Sequence, residues 1–187
     1  MPDNGLILAI DPGNVESAWV LYGIGQRKPI RWAKEPNGDV LALVKRFSEI
    51  APDDAEHLFA TRLAIEMVAC YGMAAGRSLF DTAVWIGRFI QAWNRPYNKV
   101  FRKSKWGPGP EDAQDEGHFP GVCMTICKIN TAKDPNIRQA IIDRYGGKAT
   151  AIGCKASPGV LYGMKADTWS ALAVAITWAE HMGGTPT

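Results

Sequence analysis

The apolar positions of the first 35 residues fall into short runs between glycine, proline and charged breaks, which is the pattern of β-strands. Residues 6–10 are continuously apolar and end at Asp11, just before a Pro-Gly turn. This arrangement is typical of a buried central strand with an acid at its carboxyl end. Residues 16–22 and 30–33 complete a predicted three-stranded antiparallel meander.

Helical spacing of apolar residues predicts four helices further along the chain. Asn37 or Asp39 caps the first helix, which ends before an acidic loop. Ser78 and Asp81 form a capping box for a second, which runs to residue 93 and carries apolar residues widely around it. Asp134 serves as the N-cap of a third helix, which two glycines at 146 and 147 terminate. The fourth helix covers residues 165–182.

Two more strands are predicted between these helices, at residues 63–68 and 122–129. The first carries Glu66 among apolar neighbours, where a charged side chain is costly unless it is paired or holds a cation. Strands early and helices late indicate a mixed sheet flanked by helices. We expect a single domain over residues 1–187, with a loop insertion rich in glycine, proline and acids near 104–121.

Composition fits one globular domain and limits the cellular setting. The chain has 187 residues, 47% hydrophobic and 21% charged, with a formal net charge of +2. No apolar run approaches the roughly 18 residues that span a bilayer, and four unevenly spaced cysteines do not form a secreted disulfide scaffold. We therefore expect a reduced, cytoplasmic protein. His118, Cys123, Cys127 and Cys154 form only a weak zinc pattern, and buried free thiols are favoured instead.

Three carboxylates occupy special positions: Asp11 at a strand end, Glu66 within a strand, and Asp167 in the first turn of the last helix. Taken singly, each acid has an ordinary interpretation. Asp11 can simply form a turn, Glu66 can face solvent on an edge strand, and Asp167 can offset the helix dipole. If the fold brings them together, they can hold hard cations such as Mg²⁺. A pair of such ions clamps the attacking water and the leaving oxygen of a phosphodiester.

Three segments resemble the RuvC Holliday junction resolvases, and the chain looks like a phage-type member. They are residues 6–13 (LILAIDPG), 63–66 (LAIE) and 166–177 (ADTWSALAVAIT), the last being the most specific. The resemblance implies an α/β, RNase H-like (RuvC-type) fold with a mixed five-stranded sheet flanked by α-helices. It also implies a homodimer and cleavage of four-way DNA junctions with Mg²⁺, which Mn²⁺ can replace. For a phage protein, the expected location is the cytoplasm of the bacterial host.

The resemblance assigns Asp11, Glu66 and Asp167 to metal binding and catalysis. A fourth acid is expected three residues after Asp167, but Ser170 stands there and offers only a neutral oxygen. Helical positions i and i+3 share a face, so Ser170 remains a candidate ligand. The family's catalytic lysines lie before the penultimate helix; their nearest matches are Lys133, assigned to catalysis, and Lys128, assigned to DNA.

DNA contacts are expected from two further parts of the sequence. The family's base-stacking aromatic corresponds to Ala69 here, with Tyr71 nearby. A cationic stretch interleaved with aromatics suits a phosphate backbone, although it could also be a solvated strand. Its candidate DNA-binding residues are Arg95, Lys99, Arg102, Lys103 and Lys105. Apolar residues lie widely around the helix at 78–94. One side of this helix is therefore expected to pack on its own sheet and the other on a second copy in a dimer.

Two other functions compete with a junction-resolving nuclease. The replacement of the fourth acid by Ser170 and of the aromatic by Ala69 is compatible with a catalytically inactive protein that binds branched DNA. The turn after Asp11 also resembles the phosphate loop of actin-like ATPases and sugar kinases. That architecture needs two such domains, and 187 residues hold only one.

Overall fold

The structure is a computed structural model of the chain, and it describes residues 5–49, 62–68, 76–93, 98–102 and 134–182. The strands are β1 (Leu6–Asp11), β2 (Glu16–Gly23), β3 (Lys28–Pro36), β4 (Arg62–Met67), β5 (Asn98–Arg102), β6 (Gly153–Cys154) and β7 (Ser157–Pro158). The helices are α1 (Asn37–Glu49), α2 (Arg77–Ala92), α3 (Asp134–Arg144), α4 (Gly147–Ala151) and α5 (Thr168–Met182).

Five strands form one mixed sheet in the order β3-β2-β1-β4-β5, and β6 and β7 form a small hairpin. β1, β2 and β3 pair antiparallel, which confirms the predicted meander. β4 joins β1 in parallel, and β5 joins β4 in parallel. The mixed sheet with flanking helices is confirmed, while the fifth strand lies in the cationic stretch. The strand predicted at 122–129 is outside the described residues, as is the insertion near 104–121.

Side chains alternate across the central strands and build a core on each face of the sheet. One face packs against α1 and α2, through residues such as Leu8, Ile10 and Phe89. The other packs against α5 and α3, through Ile7, Ala9 and many residues of α5. Because both faces are covered, the central strands are apolar throughout. The tryptophans at residues 93, 169 and 178 belong to the core.

The start of α2 differs from the sequence-based expectation. α2 begins at Arg77, one residue before the predicted cap, and Gly76 at its N-cap makes no side-chain capping bond. Ser78 already lies inside the first turn, where its carbonyl accepts a hydrogen bond from the Thr82 hydroxyl at 2.8 Å. Asp81 is not the second half of a capping box; it pairs with Arg77 at 3.7 Å on the exposed side of the helix.

The third helix and the surface hairpin lie in the C-terminal part of the described chain. α3 runs from Asp134 to Arg144 and ends, as predicted, before two positive-φ glycines at 146 and 147, the second of which begins the short α4. The expectation of buried thiols is wrong at Cys154, which is exposed because the small β6–β7 hairpin lies at the surface. Within the described ranges, no helix has the length and apolar character needed to cross a membrane.

Candidate functional site

Asp11 and Glu66 lie side by side at the carboxyl ends of two parallel strands. The β1–β4 register places Ile10 opposite Ile65, so the next position along both strands brings Asp11 beside Glu66. The alanines two positions earlier in each strand belong to the core beneath α5, and strand alternation sends both carboxylates to that same face. Both acids also line one cavity of about 310 Å³, whose wall includes residues of α2 from the other side of the sheet.

A buried hydrogen-bond network fixes the turn that follows Asp11. The Gly13 backbone N–H donates to the Ser17 hydroxyl at 3.2 Å, and that hydroxyl donates to the Asn37 side-chain oxygen at 2.6 Å. The Asn37 amide nitrogen donates back to the Gly13 carbonyl at 3.0 Å. The Asn37 side chain therefore ties the turn to the start of α1, rather than acting as the cap that the sequence suggested.

Asp167 lies in the turn immediately before α5, because that helix begins at Thr168 and not at residue 165 as predicted. Ala166 adopts a left-handed conformation with φ 43°, and the Thr168 hydroxyl closes the turn by donating to the Lys165 carbonyl at 2.6 Å. The Asp167 carbonyl accepts the N–H of residue 171 at 3.0 Å. Asp167 and Ser170 line a common cavity of about 520 Å³, as expected for neighbours on one helix face.

Lys34 is the site residue that sequence analysis missed. Its ammonium lies 2.8 Å from the Asp167 carboxylate and 3.8 Å from that of Glu16. The hydrogen bond and charge of Asp167 raise the pKa of Lys34 above its ordinary value, with smaller contributions from Glu16 and Asp11. The signal in the sequence was weak, because the predicted third strand stopped at residue 33.

The carboxylates divide into a pair and a separate member. Asp11 and Glu66 share a cavity, whereas Asp167 lines another and is engaged by Lys34. Over the described ranges, no group of three or more His, Cys, Asp and Glu side chains is placed to hold a metal ion together. Mg²⁺ commonly uses one or two carboxylates, completed by water and substrate phosphate. The Asp11–Glu66 pair fits such an ion, and the metal-binding roles of the acids and of Ser170 stay predictions.

The predicted DNA-binding residues fall mostly outside the described ranges, and their roles stay predictions. Lys99 and Arg102 belong to β5, which runs beside β4 and pairs residue 101 with Glu66. The remaining predicted contacts, and the predicted catalytic lysine, lie outside the described residues: Tyr71, Arg95, Lys103, Lys105, Lys128 and Lys133.

Two cations that sequence analysis did not select flank Asp167. Arg138 and Lys148 line the cavity that holds Asp167 and Ser170. The guanidinium of Arg138 lies 5.0 Å from the ring centre of Trp169, a cation–π arrangement that orients it at the cavity wall. An arginine and a lysine at one concave surface suit an anionic ligand such as a phosphate group.

Comparison with known proteins establishes the fold. No family model matches the chain, and no curated protein matches it in sequence. A Thermus thermophilus RuvC structure superposes with a TM-score of 0.52 at 13% identity, over 97% of this chain and 99% of that one. T. thermophilus RuvC in complex with a Holliday junction substrate gives 0.51 at 13% identity, over 98% and 99%. The chain therefore has a RuvC-type, RNase H-like fold, as the sequence resemblance implied.

Proposed function

We propose that this protein is a divalent-metal-dependent, structure-selective endonuclease that resolves Holliday junctions and related branched DNA by paired phosphodiester hydrolysis. The observation that carries the proposal is the adjacency of Asp11 and Glu66 on one face of a RuvC-type sheet. Asp167 lies at the start of the helix that covers that face. A pair of adjacent carboxylates that can hold a divalent ion supports metal-assisted hydrolysis of a phosphodiester.

Asp11 and Glu66 would hold Mg²⁺, or Mn²⁺ in its place. When bound, such an ion polarises a phosphodiester oxygen and makes a water molecule more acidic. The chain's own part is to hold its carboxylates in position. The network of Gly13, Ser17 and Asn37 fixes the turn after Asp11, and the pairing of β1 with β4 fixes Glu66 beside it.

The DNA backbone is proposed to cross the cavity beside Asp167. Arg138 and Lys148 offer two positive charges there, and the hydroxyl of Ser170 offers a neutral donor. Lys99 and Arg102 belong to β5, whose backbone pairs with β4, and they are proposed to add further phosphate contacts. The two cations that line the cavity beside Asp167 support a path for the phosphates past this acid.

A homodimer through α2 completes the proposal, because cutting two strands of a junction needs two sites. Ile86 and Phe89 of this helix are buried against its own sheet. Phe80 and Val84, one turn apart, are 59% and 54% exposed. A second copy would cover this apolar pair in a two-fold contact. Light scattering at micromolar concentration should give the dimer mass for wild type and the monomer mass for Phe80→Glu; a monomeric wild type would contradict the contact.

The nuclease is tested by nicking of synthetic four-way junctions, with linear duplex of the same sequence as the substrate control. In Mg²⁺, we expect wild-type protein to cut the junction selectively, and Asp11→Asn to cut it at least about 100-fold more slowly. Asp39→Asn is the matched control, since Asp39 is an exposed acid in the first turn of α1. Asp11→Asn should retain junction binding, because removing an acid removes repulsion from phosphate.

The same assay separates the proposal from its alternatives. Unchanged cutting by Asp11→Asn would refute the site. Junction binding by wild-type protein without cleavage in either Mg²⁺ or Mn²⁺ would instead support a catalytically inactive protein of the same fold. Ser170, at the position where the family has an acid, is the feature that favours this alternative. Equal cutting of junction and linear duplex would remove structure selectivity.

A further inference from the structure

Lys34 is surrounded by carboxylates at the corner of the sheet where the proposed metal site lies. Its ammonium bonds Asp167 at 2.8 Å and lies 3.8 Å from Glu16, and the charge of Asp11 also acts on it. Its side chain is 40% exposed and that of Asp167 is 50% exposed. The ion pair is thus open to solvent and to a substrate arriving from outside.

Strand register places this lysine in one row with the acids of the central strands. Lys34 on β3 is opposite Ala18 on β2, and Ala18 is opposite Asp11 on β1. Glu66 continues the row on β4. Directly opposed residues project to the same face, and here the middle residue is a fully buried alanine. Its methyl group leaves space above β2, over which the long lysine side chain reaches toward the acids.

Two features of this chain make the charge near Asp167 more positive than it would be in a site with four acids. Ser170 removes one negative charge from the position that the family fills with an acid. Lys34 brings one positive charge to the neighbouring acid, Asp167. Together the two changes equal the charge of one divalent cation. Lysine and Mg²⁺ are also alternative means of stabilising negative charge on a phosphoryl group.

We propose that the Lys34 ammonium supplies, beside Asp167, the positive charge that a second ion provides in a two-ion site, so that each protomer binds a single divalent cation through Asp11 and Glu66. This inference rests on the proposed nuclease function and sets its metal stoichiometry. Lys34 then acts on the phosphate directly, and Asp167 holds the ammonium in place rather than binding a second ion.

The competing interpretation is an ordinary surface salt bridge. Ion pairs as exposed as this one contribute little to stability, so its loss would hardly change folding. A surface salt bridge also has no effect on how many ions the protein binds. Ion stoichiometry therefore distinguishes the two interpretations without reference to cleavage.

The test counts Mn²⁺ ions bound per protomer by electron paramagnetic resonance, on the full chain without DNA. We expect one ion for wild type and one for Ser170→Asp, because Lys34 still occupies Asp167. The double variant Ser170→Asp/Lys34→Gln restores the four-acid pattern without the ammonium, and we expect it to bind two. The control combines Ser170→Asp with Lys45→Gln, since Lys45 is an exposed lysine of α1, and it should bind one.

Three results would overturn the inference: two ions, or no saturable ion, on wild type; two ions on Ser170→Asp; or one ion on the Ser170→Asp/Lys34→Gln variant. Cleavage gives a second readout. In Mg²⁺, Lys34→Gln should cut junctions on the order of 100-fold more slowly than wild type or Lys45→Gln, and cutting within about twofold of wild type would contradict a direct role. If wild type cuts no branched DNA, the proposed function fails while the ion count still decides the stoichiometry.

Discussion

The replacement Asn37→Ala tests how firmly the turn after Asp11 is held. Asn37 is only 1% exposed. Its side-chain amide donates to the Gly13 carbonyl at 3.0 Å and accepts a hydrogen bond from the Ser17 hydroxyl at 2.6 Å. Ser17 is equally buried. The alanine variant therefore removes two hydrogen bonds, leaving the Ser17 hydroxyl away from water and the Gly13 carbonyl partly buried.

The expected cost follows from these two partners. A hydrogen bond contributes about 1 kcal/mol net, and a buried group left without one costs roughly 1–3 kcal/mol. The Ser17 hydroxyl keeps the hydrogen bond from the Gly13 N–H, so the cost of losing its bond to Asn37 should lie at the low end of that range. We expect a total of about 2–3 kcal/mol. At roughly 2–4 °C per kcal/mol for a chain of this size, the melting temperature should fall by about 5–10 °C.

Calorimetric melting of wild type, Asn37→Ala, Ser17→Ala and the double variant measures both the cost and the coupling. Because the two side chains share one bond, the double variant should be less destabilised than the sum of the singles by at least about 0.5 kcal/mol. Asn14→Ala, at an exposed position of the same turn, is the control and should melt within about 2 °C of wild type. The network would be refuted if Asn37→Ala melted at the same temperature as the control, or if the destabilisation of the double variant equalled the sum of the two single variants.

Three further changes have signs that the structure fixes. Gly13→Ala should cost roughly 1–3 kcal/mol in thermal unfolding, because a Cβ there would lie 2.3 Å from the Glu16 carbonyl oxygen; an unchanged melting temperature would show that the turn relaxes freely. Ala166→Gly should raise stability by about 0.5–1 kcal/mol, since glycine adopts a φ of 43° without strain; a lower melting temperature would contradict this. Burial raises the pKa values of Tyr22 and Tyr145, so stability should be full below about pH 10 and fall above it as the unfolded chain loses protons first. Tyr145→Phe should flatten that fall in alkaline urea titrations, and an equally steep fall would exclude the pair as its cause.

The sequence predicted the strands better than the contacts between them. Apolar runs located β1 and β4 to within one residue and placed Asp11 at a strand end. Nothing in those runs indicates that β1 and β4 are parallel neighbours, which is what brings Glu66 beside Asp11. That adjacency was implied only by the resemblance to a family. Pairing between distant strands depends on the whole core, which local periodicity does not encode.

Errors at helix starts and the missed lysine have local causes. Ser78 looked like a cap because of its chemistry, but the helix begins one residue earlier on a glycine N-cap. Asp167 was predicted inside the last helix, whereas the left-handed Ala166 delays the start of α5. Lys34 depends on the β2–β3 register, which shifts between Leu21 and Tyr22. A register irregularity of this kind changes which residues face each other and leaves no trace in the hydrophobic pattern.

Acids gathered at one corner repel one another, and the fold offsets this repulsion with its own groups. Asp167 precedes the N-terminus of a 15-residue helix, where the helix dipole favours negative charge, and Lys34 pairs with it directly. Asp11 and Glu66 are only partly buried, so water screens their charges. These compensating groups belong to the chain itself, and they lower the electrostatic cost of holding the carboxylates in the folded state.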